Sequence, residues 1–373
     1  MLQGGGNKIL EETMKYNYWL WNVKGFGDHR CQRCIESFGN SKLLYEASVE
    51  ELHKINGLKE KEIQCLIDSR KNWNLNQEWE RFLKSGCTFL TRNDLNFPSR
   101  LLDIDPVPFS LYCKGNLPPE NQFQVAIVGA RMCTSYGEQV AKHLGKEFAK
   151  MGIGVVSGLA RGVDTAAIWG AIEEQGTSYG VLGGGINYVY PPENKRIFHE
   201  ILEKGGLISQ YHLNQQPQAQ FFSCRNRIIS GLADAVIVIE AKEKSGSLIT
   251  ADWALSQGKE VYAIPGRIND PVSQGCNQLI HQGAQIVVSI DSLFEDMKLF
   301  NRKFYEKSVK NKIRLEKEEL LVYSCLGLHP KSFSTLMEEV QIPIGQLMKI
   351  IQELSDQELI VEYYNNYYCR SEV

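Results

Sequence analysis

Three stretches of the chain carry three different hydrophobic rhythms. Between residues 8 and 85 the apolar positions recur at helical spacing, broken at Gly25-Phe26-Gly27 and at Asn56-Gly57, with no strand-like alternation. A small all-helical domain is predicted over 8–85. Residues 86–120 are punctuated by Pro98, Pro106, Pro108, Pro118 and Pro119, which disfavour long helices and central strands. From 125 to 288 two signals alternate. Apolar, β-branched runs occur at 125–128, 153–156, 179–182, 207–209, 236–239, 261–264 and 286–288. Helical stretches lie between most of them, at 137–150, 164–174, 195–203, 226–232, 248–257 and 276–282. Continuous apolar strands imply burial on both faces. Alternation with helices implies right-handed crossovers and a parallel sheet. The second domain is therefore an α/β domain over 86–298, with its core at 121–290.

The rhythm lapses again at 299–315, a charged, apolar-poor segment with Lys303, Lys307, Lys310, Lys312 and Arg314 that reads as a linker with residual helix. Residues 316–373 then show helical spacing at 316–325, 332–340 and 343–354. Two β-like runs follow, 359–363 and 367–369, with Asn365-Asn366 as the turn between them. Three helices followed by a hairpin is the winged-helix order.

Composition narrows the class. A chain of 373 residues is long enough for two or three domains. No apolar run reaches the ~18 residues needed to cross a bilayer. Residues 1–7 are glycine-rich and polar with no signal-peptide core, so a cytoplasmic protein is expected. A net charge of -3 excludes a protein coated in positive charge, but leaves room for a local basic patch. The ten cysteines are scattered, which fits reduced thiols better than a disulfide framework. Cys31-x-x-Cys34 has no second pair at similar spacing, so no metal site is expected and the two are read as helix residues.

The chemistry sits at the strand ends. Glycine-bearing loops follow most strands of the α/β domain: 128–131, 157–164 with Gly158, 183–185 with Gly184, 244–247 with Ser247, and 265–267. Glycine lets the backbone approach a ligand, and a helix N-terminus after such a loop offers N–H groups to an anion. In open α/β sheets ligands bind beyond the carboxyl ends of the strands. Residues 121–290 carry as many acidic as basic residues, yet Arg131, Arg161, Lys195, Arg196, Lys242, Lys244 and Arg267 all fall at or near strand ends. Arg225 and Arg227 flank Asn226 directly after Phe221-Phe222, so an aromatic ring that can stack a base lies beside cations that can take phosphates. A basic rim of this kind suits a stretched phosphodiester backbone better than one compact nucleotide. A P-loop, a three-glycine dinucleotide fingerprint, a Gly-x-Ser-x-Gly elbow and a His-x-x-x-His pair are all missing, so no nucleophile and base are nominated. Asp164 reads as a helix cap. The runner-up is an enzyme, a nucleotide-binding Rossmann hydrolase or phosphoribohydrolase using the same loops.

Taken in order, Val-Gly-Ala-Arg at 128–131, Ser-Gly-Leu-Ala-Arg-Gly-Val-Asp-Thr-Ala-Ala at 157–167, Tyr-Pro-Pro-Glu-Asn at 190–194, Arg-Asn-Arg-Ile-Ile-Ser-Gly-Leu at 225–232, Ser-Gly-Ser-Leu-Ile-Thr-Ala at 245–251 and Pro-Gly at 265–266 resemble the DNA-processing protein A family, also called DprA or Smf. The resemblance is strong over about residues 91–297. It implies an extended Rossmann-like fold and a cytoplasmic, non-enzymatic protein without cofactor. It also implies binding of single-stranded DNA, a homodimer, and loading of the recombinase RecA during natural transformation. The basic pocket it implies includes Arg131, Lys195, Arg225, Arg227, Lys242 and Lys244. With the loop residues above, the expected DNA-contact set is Arg131, Gly158, Arg161, Gly184, Asn194, Lys195, Phe222, Arg225, Asn226, Arg227, Lys242, Lys244 and Ser247. One departure stands out. The family commonly has Phe-Pro-x-Arg-Asn-Arg, and this chain has Phe222-Ser223-Cys224-Arg225-Asn226-Arg227, which is expected to loosen that loop. The turns at 23–27 and 55–58 resemble the hairpins of helix-hairpin-helix or SAM-like modules, which can present N–H groups to phosphates. Helix 343–354 stands where a recognition helix would. Its one cation is Lys349, among Glu353, Asp356 and Glu358, which favours a protein-contact or structural role.

Overall fold

Buried aromatic residues decide how the N-terminal helices lie. The computed structural model describes residues 4–297, 299, 317–326, 331–357, 359–364 and 366–370. Apart from Leu299, the linker expected at 299–315 lies outside the described residues. Helices α1 (Gly4–Trp21), α2 (Asp28–Phe38), α3 (Ser41–Glu46), α4 (Val49–Leu52), α5 (Glu60–Asn72) and α6 (Leu75–Leu83) place Trp19, Leu44, Leu66, Trp79 and Phe82 in one cluster. The Tyr18 ring lies 4.9 Å from Phe82 and 5.6 Å from Trp79. It also lies 5.5 Å from Phe89 and 6.2 Å from Tyr112, which belong to the sheet. The helical region expected over 8–85 therefore shares its core with the α/β layer.

The sheet has nine strands: β1 (Thr88–Thr91), β2 (Ser110–Gly115), β3 (Gln124–Val128), β4 (Gly154–Ser157), β5 (Ser178–Val181), β6 (Gly206–Ser209), β7 (Ala235–Val238), β8 (Glu260–Ala263) and β9 (Gln285–Ile286), in the order β1-β2-β6-β5-β4-β3-β7-β8-β9. β3 to β9 run parallel. β1 and β2 are antiparallel additions at one edge. The parallel sheet expected over 125–288 is present, and the proline-rich stretch 86–120 adds two antiparallel strands to it. Pro98, Pro106 and Pro108 lie in the loop between them, and Pro118 and Pro119 follow β2, so none interrupts the ladder.

Alternate residues of β3 face opposite layers, Val125 and Ile127 one way and Ala126 and Val128 the other. The first layer holds α7 (Ser135–Lys150), α8 (Val163–Glu173), α9 (Lys195–Glu200) and α13 (Ile290–Asp296). The second holds α10 (Ala219–Leu232), α11 (Gly246–Ser256) and α12 (Gln274–His281). α7 and α8 cross at glycines. A Cβ at Gly145 would lie 2.1 Å from the Ala167 carbonyl oxygen, and one at Gly170 would lie 2.0 Å from that of Lys142. Only hydrogen fits at either position. Lys142 and Lys146 then hold Glu173 across the same crossing at 2.6 and 2.9 Å.

The C-terminal residues form a separate compact unit. It contains α14 (Lys317–Cys325), β10 (Lys331–Ser332), α15 (Phe333–Val340), α16 (Ile344–Asp356), β11 (Ile360–Tyr364) and β12 (Tyr367–Arg370), with its sheet ordered β10-β12-β11. Val322, Leu336, Leu347, Ile350, Leu354 and Ile360 make its core. Among the described residues no helix is long and apolar enough to cross a membrane.

Candidate nucleic-acid interface

β3 and β7 are neighbours, but β3 is followed by a helix that leads towards β4 and β7 by one that leads towards β8. The loops leaving them diverge, and the gap is the switch-point crevice of an open α/β sheet. A cavity of 580 Å³ occupies it. The loop after β3 supplies Val128 to Met132, the β4–α8 loop Ala160, and the next helix Asp164. Tyr190 and Pro217 close two sides, α10 contributes Phe222, Arg225 and Asn226, the β7–α11 loop supplies Lys242 and Lys244, and the first turn of α11 supplies Ser247.

The floor is a buried charge cluster. Arg225 Nη1 donates to the Gly158 carbonyl at 2.9 Å and also to that of Val181. Asp164 accepts from the N–H groups of Gly158 at 3.1 Å and Ala160 at 3.3 Å. Gly158 lies between the two side chains, and a Cβ there would sit 2.7 Å from both Arg225 Nη2 and Asp164 Oδ2. Burial pushes the Asp164 carboxyl up to about 6, against the opposing pull of Arg225 and the two N–H groups. Burial likewise pulls Arg225 down to about 10, with Asp164 resisting. Asp164 is not the cap of its own helix, as its sequence position implied. Gly162 holds the N-cap position with φ +73°, and Asp164 clamps the preceding loop instead.

The rim is open and cationic. The Arg131 guanidinium lies 5.1 Å from the centroid of the Phe222 ring, and the Tyr190 ring lies 5.4 Å from Phe222 on another side. Among the described residues the side chains of Arg131, Lys242 and Lys244 have no hydrogen-bond or carboxylate partner. Among the described residues Asp164 is the only acidic one lining the cavity. Asn226 Nδ2 holds the Gly246 carbonyl at 3.0 Å, tying α10 to the start of α11. Glu240 fixes the β3–α7 loop, accepting from the Thr134 backbone N–H at 2.8 Å and its hydroxyl at 2.5 Å.

The structure brings Arg131, Phe222, Arg225, Asn226, Lys242, Lys244 and Ser247 to one cavity and distributes the other expected residues around it. Arg227 does not line it. Its Nη2 donates to Asp28 Oδ2 at 2.8 Å and its Nη1 to Gln210 Oε1 at 2.7 Å, so both nitrogens are engaged away from the cavity. Arg161 pairs with Glu193 on the surface. Lys195 is exposed at the start of α9. Asn194 is buried, donating to the Leu159 carbonyl at 2.9 Å and Thr165 Oγ1 at 2.8 Å. Gly158 is enclosed by Arg225 and Asp164, and Gly184 packs against Pro217. The loop expected to be loosened at Phe222-Ser223-Cys224 is helix: α10 starts at Ala219, and a serine at 223 keeps the N–H that a proline would remove.

Sequence reasoning did not single out Tyr190 or Glu240. The position of Tyr190 just before two prolines, at the end of a glycine loop, was the available signal. Cys31 and Cys34 lie buried in α2, where burial raises both thiols, Cys34 to about 12.

Comparison with known proteins gives one consistent answer. The family model for DNA recombination-mediator protein A matches residues 88–298. Protein Smf of Synechocystis sp. is 35% identical over 286 residues, covering 75% of this chain and 72% of its own. The DNA processing protein DprA of Bacillus subtilis is 38% identical over 226 residues, covering 60% and 76%. An X-ray structure of DNA processing protein A from Streptococcus pneumoniae superposes with a TM-score of 0.67 at 30% identity, covering 75% of this chain and 97% of that one. A structure of the Helicobacter pylori protein, described for its single-stranded DNA binding mode, gives a TM-score of 0.51 at 31% identity, covering 57% and 95%.

Proposed function

This chain belongs to the DNA recombination-mediator protein A family, and from that premise we propose that it is a single-stranded DNA-binding mediator whose switch-point cavity grips the strand. The observation that carries the reading is Arg131, an unpartnered cation held over Phe222 at the mouth of a cavity with Lys242 and Lys244 opposite and one buried acid. Phosphates satisfy the cations, and bases stack on Phe222 and Tyr190 without sequence preference. Lys195 and Arg161 lie outside the cavity lining, so the basic surface extends farther than a single nucleotide needs.

The role is one of binding. Asp164 is committed to two backbone N–H groups, and among the described residues no second carboxylate stands in the cavity to share acid–base work. A mononucleotide hydrolase remains the second reading because a buried acid with a raised pKa does line a cavity of nucleotide size. Loading of RecA in transformation, a cytoplasmic location and a homodimer complete the proposal. For the homodimer the sheet offers β9, which ends it with Ile286 exposed. The C-terminal unit is read as a winged helix. Its α16 carries Lys349 already paired with Glu353 at 3.3 Å, which favours a protein-contact or structural role.

Fluorescence anisotropy with labelled oligo-dT and a matched duplex tests the reading. The expected outcome is salt-sensitive binding of the single strand and weaker binding of the duplex. Equal affinity for both, or nucleotide turnover by the pure protein, would overturn it.

A further inference from the structure

We propose that the DNA interface continues beyond the cavity to a second base-stacking station formed by Trp169 of α8 and Arg196 of α9. The proposal rests on the single-strand reading above and adds a subsite to it.

The Arg196 guanidinium lies 4.9 Å from the centroid of the Trp169 ring. Its side chain is 76% exposed, and its carboxylate contact, Glu200, is long at 3.4 Å. An exposed pair of that length holds its partner weakly. Trp169 is half-buried, with the body of its indole packed on the core. Both groups are therefore positioned but not closed off.

Chain connectivity leads from the cavity to this pair. Ala160 lines the cavity, and Arg161 follows it directly. Arg161 reaches Glu193 on the loop that begins at Tyr190, another lining residue. The adjacent Asn194 is bonded to Leu159 and to Thr165. Trp169 is four residues beyond Thr165, so it stands one turn farther along the same face of α8. Lys195 and Arg196 open the facing helix. From Asp164 to Trp169 the helix advances about 7 Å, on the order of two stacked nucleotides.

The chemistry repeats that of the cavity mouth. There Arg131 lies on Phe222, and here Arg196 lies on Trp169. An arginine stacked on an aromatic ring leaves two binding options for a single strand. The base takes a face of the ring or of the guanidinium, and the guanidinium N–H groups take the phosphate. Lys195 supplies a second cation between the stations.

The test compares the full-length protein with Trp169→Leu, Trp169→Phe and Arg196→Ser, using oligo-dT of about two and about twenty nucleotides. The long oligomer is expected to bind about tenfold more weakly to Trp169→Leu, with Trp169→Phe recovering most of the loss. Arg196→Ser is expected to lower the slope of log affinity against log salt by about 0.7, the share of one phosphate contact on a single strand. The oligomer of about two nucleotides, too short to reach from the cavity to Trp169, is expected to bind all four proteins alike. Unchanged affinity for the long oligomer would overturn the proposal, and so would equal losses at both lengths, which would mark a folding defect. A wild-type protein that binds neither oligomer would instead overturn the single-strand reading itself.

Discussion

The N-terminal helical region and the switch-point cavity both depend on arginine and use it in opposite ways. In the helical region arginine seals turns. Arg30 donates to the Gly25 carbonyl at 2.6 Å, Arg33 to that of Gly57 at 2.8 Å, and Arg70 to that of Ala47 at 2.6 Å. At the cavity Arg225 does the same for Gly158 and Val181, but Arg131 keeps its head group unbound over an aromatic ring. A count of basic residues does not distinguish these uses. A phosphate site needs a cation whose stem is fixed and whose N–H groups have no internal acceptor.

The comparison can be broken at several points. Arg225→Ala should have the largest effect, because it leaves the Gly158 and Val181 carbonyls without their donor and removes the charge that opposes the burial of Asp164. A loss of about 3–5 kcal/mol in urea unfolding is expected, with oligo-dT binding lost as well. Asp28→Ala strands the Arg227 guanidinium in the interior. It should cost about 3 kcal/mol and show that the second arginine of the motif joins α10 to the helical region. A wild-type melting curve for Asp28→Ala would deny that role. Arg131→Ala should separate binding from folding. Stability should stay within about 0.5 kcal/mol of wild type, while anisotropy shows oligo-dT affinity falling about tenfold, the worth of one charge-assisted phosphate contact. Arg33→Ala sharpens the contrast from the other side. It should cost about 1 kcal/mol with DNA affinity unchanged, whereas a fall in affinity would assign the Gly57 turn to the interface.

The smallest effect concerns pH. The folded-state pKa of Asp164 lies above its ordinary value of 3.8, at about 6. The folded protein therefore holds a proton that the unfolded chain has released, and this group's contribution to stability is lost as pH rises through that window. Urea titrations between these limits should show stability falling with rising pH in the wild type and a flatter profile in Asp164→Asn. Oligo-dT should also bind more tightly below the folded pKa, where the charge beside Arg225 and Arg131 is gone.

Much of this was legible in the sequence. The parallel strands and their helices could be placed because burial on both faces writes continuous apolar runs, as in 125–128 and 235–238. The family was legible because its motifs are the strand-end loops themselves, and the matched segment agrees. β1 and β2 were not, since their edge position is set by pairing with β6 rather than by a period of their own. Nor were the different fates of Arg131, Arg225 and Arg227. Arg225 and Arg227 are both buried, and which of them faces the cavity depends on the rotation of α10, a helix that begins at Ala219 behind Gln218, which makes no side-chain cap. Asp28, the partner of Arg227, lies 199 residues away in the chain, and no local pattern could announce it.

The glycine crossing of α7 and α8 makes the two sides of the cavity unequal in stiffness. With no side chain between the helix backbones, there is no slack for them to slide or rock. Glu240 anchors the loop entering one helix, and Asp164 anchors the loop entering the other. That side behaves as a plate. The opposing side, made of the first turns of α10 and residues 242–247, is held by single side-chain bonds instead, Asn226 to the Gly246 carbonyl and Arg225 to those of Gly158 and Val181. Bases of different size would then be accommodated by yielding on one side only, with the strand always referenced to the rigid one. Under the proposed single-strand reading, tolerance of sequence and constancy of grip, which usually oppose each other, would fall to different walls.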